Sequence, residues 1–284
     1  MGLMKKKAAM LKNDLAYGIV GQAGIYVLLI IVTMVSCKGF YGYGQQLVKY
    51  NYSREMPGVF DYYLNIFQGQ LPFKPFSGMI YFMPVYWMTI SIAIVYSVSS
   101  YAKDDFQKSG IMRIVYSGGR GAWIFGKEIW VLLQIAADYL MIWFAILFFA
   151  FLKGVPFRPK LSEEVWLNTY PDILYRDQET IIVVTIILPI MGYMAVAALE
   201  MLISIALRPV VAMALGCTIM VISSFFDKVW LLGNHAMWMR FSAFSSKGID
   251  WLSALMLDIA ILILSFSAFA AIVARKDLLQ ERES

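Results

Sequence analysis

Charged residues are scarce in this 284-residue chain, in which Asp, Glu, Lys and Arg together make up 15%. A soluble domain carries about 25% charged residues. The hydrophobic share is 60% and the mean hydropathy is +0.67, which excludes an ordinary soluble domain and predicts an all-α integral membrane protein. The formal net charge of +5 is what span orientation and anionic lipid headgroups require, so nucleic acid is not indicated as a partner.

Cysteine and histidine are rarer still. Cys37 and Cys217 fall inside or beside apolar runs, so they predict packing thiols and no disulfide or metal framework. The single histidine, His235, has no Cys or acidic ligand near it in the sequence, so we interpret it as an interfacial polar residue and predict no metal site. No Ser/His/Asp or paired-acid pattern of an active site is present, and the chain is not expected to be an enzyme.

Long apolar runs dominate instead, and about 20 such residues are enough for a helix to cross a bilayer. We predict one permease domain over residues 1–284 with six transmembrane helices. The fourth span is longer than a bilayer requires and is expected to tilt, or to bend at Pro189. The predicted spans cover residues 18–37 (ended by Lys38), 78–101, 129–152, 180–207, 209–226 and 251–274.

Two further segments lack the character of free loops. Residues 1–17 are basic and amphipathic, which fits a helix lying in the membrane interface or a solvated leader that orients the first span. Residues 227–250 are too apolar for a free loop, so we predict a re-entrant pair of short half-inserted helices around Gly233 and Asn234. Lys and Arg are denser on the side of both termini, which predicts a cytoplasmic N-terminus and C-terminus.

Residues 102–128 form the longest charged stretch on the side of the membrane that carries both termini. Its first half is expected to form a helix in which Ile111, Ile114 and Val115 share a face. Gly118 and Gly119 are expected to end that helix, because Gly tolerates the backbone angles of a helix end. A short helix held at the membrane surface between two spans is a place where a partner can push. The basic residues of the stretch are Lys103, Lys108, Arg113, Arg120 and Lys127.

This arrangement resembles the type-2 ABC exporter permeases, which have six spans, an amphipathic N-terminus, a cytoplasmic helix after span two and a re-entrant hairpin before span six. The local resemblance is an acidic residue before a Gly, then an apolar helix, a Ser, an Arg and a Lys entering span three. The family often has Pro after the Ser, where this chain has Gly118 and Gly119. The matching positions are Asp105, Gly110, 111–116, Ser117, Arg120 and Lys127.

The resemblance implies a permease without an ATPase of its own. Such permeases pair as dimers, here expected to be a homodimer, and bind two copies of a nucleotide-binding subunit that holds ATP and Mg. Residues 102–128 would be the coupling helix that docks in a cleft of that subunit; alternatively their charges only satisfy the positive-inside rule. The predicted coupling residues are Asp105, Gly110, Ile111, Arg113, Ile114, Arg120 and Lys127.

Residues 121–128 nearly match the phosphate-binding pattern G-x-x-x-x-G-K-[ST]. Glu128 replaces the hydroxyl residue that would hold Mg²⁺, and no apolar strand precedes the segment. Trp123, Ile124 and Phe125 are also too bulky for a loop that wraps phosphates. The stretch is therefore not interpreted as an ATP site.

Three acids lie inside predicted spans: Asp138, Glu200 and Asp258. Each costs about 2.5–3.5 kcal/mol near the bilayer centre, so each should face protein or water. Asp138 and Asp258 are candidates for the substrate path or for packing bonds. For Glu200 we favour a packing hydrogen bond to Ser204, one turn away.

The cargo is predicted to be an amphipathic or antimicrobial peptide, because the family resemblance includes compact peptide exporters of bacterial membranes. A drug, lipid or glycan-lipid is the alternative cargo. An ion-coupled secondary transporter using Asp138 and Asp258 is a different class of function, as is a noncatalytic membrane anchor or sensor subunit.

Overall fold

The computed structural model describes residues 14, 18–71, 73, 81–99, 101–102, 105, 114, 119–166, 177–245 and 247–275. Throughout these ranges every regular element is a helix, and one isolated bridge pairs Phe241 with Ile249. The helices are α1 (Ala23–Lys49), α2 (Val59–Phe67), α3 (Val85–Ser99), α4 (Arg120–Lys153), α5 (Glu163–Trp166), α6 (Gln178–Ile182), α7 (Leu188–Ala206), α8 (Pro209–Phe225) and α9 (Trp251–Arg275).

Four helical stretches of the described chain are long and apolar enough to cross a membrane, which confirms a helical membrane protein. They are Val20–Lys49, Arg120–Lys153, Glu179–Ala206 and Trp251–Arg275. The shorter helices α3 and α8 fall in the predicted second and fifth spans. At 1.5 Å per residue they are roughly 22 and 26 Å long, against about 30 Å of bilayer hydrocarbon. Six spans therefore stay a prediction.

The helix ends follow local chemistry. Helix α1 runs to Lys49 and does not end at Lys38. The run contains no Pro, and the Gly that follows Lys38 lowers helix stability by only about 1 kcal/mol relative to Ala, which is too little to end the helix. Helix α4 ends at Gly154, whose φ of 64° lies in the left-handed region that glycine adopts without strain. Helix α8 begins with Pro209, which is suited to a first helical position because its missing N–H has no intrahelical partner there.

A π-turn over Val183–Ile187 joins α6 to α7. It lies directly before Pro189, whose missing N–H leaves the Thr185 carbonyl without its helical partner. Tyr63 of α2 supplies the replacement, since its hydroxyl donates to the Thr185 oxygen over 2.9 Å. The irregularity expected at Pro189 is thus stabilised by a side chain from a distant part of the chain.

Helix α7 lies at the centre of the bundle. It packs along α9 most extensively and also contacts α3, α4 and α8. Small residues on its buried face, Ala195, Ala197 and Ala198, allow these neighbours to approach closely. A polar side chain on α7 is therefore positioned against several helices at once.

One end of the bundle is covered by what we name the aromatic cap, formed by α2 with residues 155–166, 229–245 and 247–249. Asp61 of α2 is fully buried and accepts hydrogen bonds from the Gly58 N–H (2.8 Å), the Ser162 N–H and hydroxyl, and the Trp166 indole (2.7 Å). The Trp238 indole donates to the Leu64 carbonyl over 2.8 Å. These bonds join three separate parts of the sequence into one covered surface.

The described part of residues 227–250 differs from the predicted re-entrant pair of half-inserted helices. It consists of two 3₁₀ turns, Leu232–Ala236 and Trp238–Arg240. The Asn234 amide donates to the Phe226 and Lys228 carbonyls, and the Arg240 guanidinium donates to the Ser223 and Ser224 carbonyls at the end of α8. Because these side chains bind backbone at short intervals, the chain is held in tight turns rather than in longer helices.

Candidate functional site

Lys127 organises the end of the bundle opposite the aromatic cap. Its side chain is fully buried, and its ammonium lies 2.6 Å from Asp14 Oδ1 and 2.9 Å from Asp105 Oδ2. The ammonium also lies 4.4 Å from the centre of the Tyr101 ring. We name these residues, together with Trp123, the Lys127 junction.

Two neutral donors complete the junction. The Tyr101 hydroxyl donates to Asp14 over 2.9 Å, and the Trp123 indole donates to Asp105 over 3.0 Å. A buried charge is tolerated when opposite charges and hydrogen bonds surround it, and here two carboxylates and an aromatic face do so. The junction therefore joins the start of the chain, the segment after α3 and the first turns of α4.

The predicted coupling residues have different outcomes. Asp105 and Lys127 are brought together, and Ile114 is buried with 6% of its surface exposed. Arg120 donates to the Ala274 carbonyl in the last turn of α9, where a cation also complements the helix dipole. Gly110, Ile111 and Arg113 lie outside the described residues.

Lys127 was predicted to be a coupling residue that contacts the ATPase subunit, and here its ammonium pairs with acids of its own chain. Its zero exposure means that no part of its side chain is presented to a docking subunit. The positive-inside rule would place the Lys127 charge at the cytoplasmic surface, but here the ammonium is paired with carboxylates inside the fold. Docking of residues 102–128 on an ATPase subunit stays a prediction. In that prediction the role of Lys127 is to hold α4 in position rather than to contact the subunit.

Asp138 lies in a hydrogen-bonded network between three helices. Its carboxylate accepts from Ser97 of α3 over 2.9 Å and from Gln134 of α4 over 3.1 Å. Gln134 in turn donates to the Tyr26 hydroxyl of α1 over 3.2 Å. This geometry favours packing bonds over the substrate path for Asp138, because the fully buried acid joins α1, α3 and α4 through hydrogen bonds.

Asp258 is paired with His235, which corrects the interpretation of His235 as an interfacial residue. Both side chains are fully buried, and His235 Nδ1 lies 2.7 Å from Asp258 Oδ1. His235 Nε2 lies 2.8 Å from the Val229 carbonyl. The pair joins the cap to α9. The buried imidazole and the buried carboxylate each supply the hydrogen-bond partner that the other requires.

Glu200 does not form the expected bond to Ser204. Within the described part of the chain, neither Glu200 carboxylate oxygen has a hydrogen-bond partner, nor does the Ser204 hydroxyl. One-turn spacing permits this bond but does not enforce it, because the Glu200 side chain extends instead toward Gly216 of α8.

Two adjoining cavities of about 480 and 420 Å³ lie between α1, α2 and α3, and Asn65, Gln68 and Tyr86 line both. Neither Asp138 nor Asp258 is among the lining residues. The two acids predicted for a substrate path therefore lie away from these cavities.

Sequence reasoning missed Asp14, Tyr101 and the His235–Asp258 pair. The available signal was physical rather than a motif: an acid or an imidazole within apolar sequence requires a partner. That signal says a partner exists but does not identify it, since Asp14 and Lys127 are separated by most of the first half of the chain.

Comparison with protein families, curated proteins and solved structures found no match.

Proposed function

We propose that this chain is the transmembrane subunit of an ATP-driven exporter of the type-2 ABC kind, in the inner or plasma membrane of a bacterium. It would have six spans with both termini in the cytoplasm, pair as a homodimer and bind two copies of a separate ATPase subunit that holds ATP and Mg. The proposed cargo is an amphipathic or antimicrobial peptide, with drugs, lipids and glycan-lipids as alternatives.

The Lys127 junction is the observation that carries the proposal. A permease subunit without its own ATPase needs a rigid connection between the surface that contacts the ATPase subunit and the helices that move. Asp105 lies within the proposed coupling segment, and its bond to buried Lys127 connects that segment to α4. Asp14 connects the N-terminal segment to the same point.

Helix α4 is suited to carrying the movement onward. It has 34 residues, or roughly 51 Å at 1.5 Å per residue, and it packs against α1, α7 and α9. A displacement at its first turns is therefore passed to three other long helices. Arg120, bonded to the end of α9, adds a second connection at the same end of the bundle.

The bonds of Asp138 and Asp258 support the exporter over an ion-coupled carrier that uses these two acids. Asp138 accepts from two side chains, and Asp258 is joined to His235. An acid already held in this way is a packing element, and releasing it to a cation would break contacts between helices.

The direct test is co-purification of the chain with its ATPase subunit, followed by Ile111→Asp and Arg113→Asp. We expect both variants to lose the complex and the permease-dependent part of ATP hydrolysis. Lys153→Asp, a matched charge reversal at the exposed far end of α4, should leave both unchanged. Formation of a complex with an unchanged rate of hydrolysis in the Ile111 and Arg113 variants would contradict the docking assignment.

Cargo is tested in proteoliposomes that contain the complex. A fluorescent amphipathic peptide should enter the lumen only when ATP is supplied on the coupling side. Uptake of a drug or a labelled lipid in place of the peptide would replace the proposed cargo. Transport by the purified chain with no ATPase present would remove the exporter proposal itself.

A further inference from the structure

Glu200 is a buried acid that forms no hydrogen bond within the part of the chain that the structure describes. It lies on the central helix α7 with 1% of its surface exposed, and among the described residues both carboxylate oxygens lack a hydrogen-bond partner. Asp138 and Asp258, on α4 and α9, each have a side-chain partner. Glu200 therefore differs from Asp138 and Asp258, the other two acids that lie inside the predicted spans.

The space for this carboxyl group is made by a glycine. A Cβ atom added at Gly216 of α8 would lie 1.9 Å from Glu200 Oε1 and 2.8 Å from its Cδ. The same Cβ would lie 3.0 Å from a methyl group of Val95 on α3. The carboxyl thus occupies a gap between α3, α7 and α8 that any larger residue at position 216 would fill.

The groups around the gap do not compensate a negative charge. The atom of α3 closest to this space is a Val95 methyl group, and α8 contributes Gly216, which is followed in the sequence by the half-buried Cys217. Ser204, the nearest hydroxyl along α7, forms no hydrogen bond among the described residues. An ionised carboxylate without donors or a counter-ion is strongly disfavoured away from water, and adding a proton removes that charge.

We propose that Glu200 is a proton-binding site, in which the carboxyl is held in its protonated form while α7 and α8 are packed together. Loss of the proton requires that α8 separate from α7 and admit water to the carboxylate. The site thereby makes opening of this helix pair dependent on pH. This inference concerns a proton only and does not depend on the proposed cargo or on an ATPase partner.

Infrared spectroscopy of the purified full chain in lipid nanodiscs tests the protonation directly. The difference spectrum between wild type and Glu200→Gln at neutral pH should show loss of one carbonyl-stretch band of a protonated carboxyl. Glu179→Gln, at an exposed glutamate, should instead show loss of carboxylate bands. Carboxylate bands lost from Glu200→Gln would overturn the proposal, as would a Glu200 signal that changes with Na⁺ or K⁺ at constant pH.

A thermal-unfolding series tests the coupling to helix packing. The folded state would hold a proton that the unfolded state releases above the ordinary Glu pKa of about 4.3, so wild-type stability should fall as the pH rises from about 4 through neutral. Glu200→Gln, which keeps the shape and cannot ionise, should lose that pH dependence. If the wild type and Glu200→Gln show the same dependence on pH, the coupling is wrong.

The position of the carboxyl in the gap is tested by enlarging residue 216 and shortening residue 200. Gly216→Ala should lower Tm because its methyl group meets the Glu200 carboxyl, and Glu200→Ala combined with Gly216→Ala should restore most of the loss. Additive losses in the double variant would show that the carboxyl does not occupy this gap.

Discussion

Replacing Lys127 with Met removes the ammonium from the Lys127 junction while keeping a similar side-chain length. Asp14 and Asp105 then lie in a buried site without the cation between them. Removing one partner of a buried ion pair costs about 3–5 kcal/mol, because the remaining charge is no longer compensated. With an unfolding entropy of about 2.1 cal/mol/K per residue, a chain of 284 residues would lose roughly 5–8 °C in Tm.

The measurement is thermal unfolding of the full chain in nanodiscs, followed by far-ultraviolet circular dichroism. Lys153→Met is the matched control, because Lys153 is on the same helix and exposed. Its replacement should change Tm by little, since exposed charges contribute about 0–1 kcal/mol.

A charge-removal variant separates the ion pair from simple loss of packing. Combining Lys127→Met with Asp14→Asn and Asp105→Asn removes all three charges, and we expect most of the lost stability to return. If Lys127→Met unfolds at the same temperature as Lys153→Met, the junction does not stabilise the fold. A triple variant no more stable than Lys127→Met would show that charge is not the cause.

Three further outcomes are expected. Asp61→Ala should lower the stability of the aromatic cap by about 3 kcal/mol or more, which hydrogen exchange would detect as a loss of amide protection confined to the cap. Asp177→Ala, at an exposed helix start, should lower stability by only about 1 kcal/mol. Asp138→Asn can still accept from Gln134, and its amide can donate to the Ser97 hydroxyl, which already donates to the Ile94 carbonyl; transport of the proposed peptide cargo should therefore stay intact. Loss of transport with unchanged Tm would return Asp138 to the cargo path. Hydrogen bonds from the Ser253 N–H and hydroxyl lower the pKa of Asp250, so this contribution is present at neutral pH and is lost in acid. The Tm difference between wild type and Asp250→Ala should therefore shrink as the pH falls below about 4.

The helical membrane class followed from the sequence because it depends on composition and on the length of apolar runs. Helices α4, α7 and α9 lie within or across the predicted spans, since a run of some 20 apolar residues has few alternatives to a helix in lipid. Helix α1 was placed but its end was not, because Lys38 was interpreted as a stop and an exposed lysine does not interrupt a helix.

The cap and the Lys127 junction were beyond sequence reasoning for a different reason. Asp61 is bonded to residues about a hundred positions away, and Asp14 to Lys127 across a similar distance. Such partners are chosen by the packing of whole helices, not by local spacing. Glu200 shows the converse, because a partner at favourable spacing, Ser204, is not used.

The aromatic cap gives this protein a built-in optical reporter. The Trp166 and Trp238 rings meet edge to face with centroids 5.5 Å apart, and both indole N–H groups are bonded within the cap. Coupled indoles held at a fixed angle produce a near-ultraviolet dichroic signal that freely rotating ones do not. Separation of the cap segments is therefore expected to be visible as a loss of this signal in the unlabelled protein.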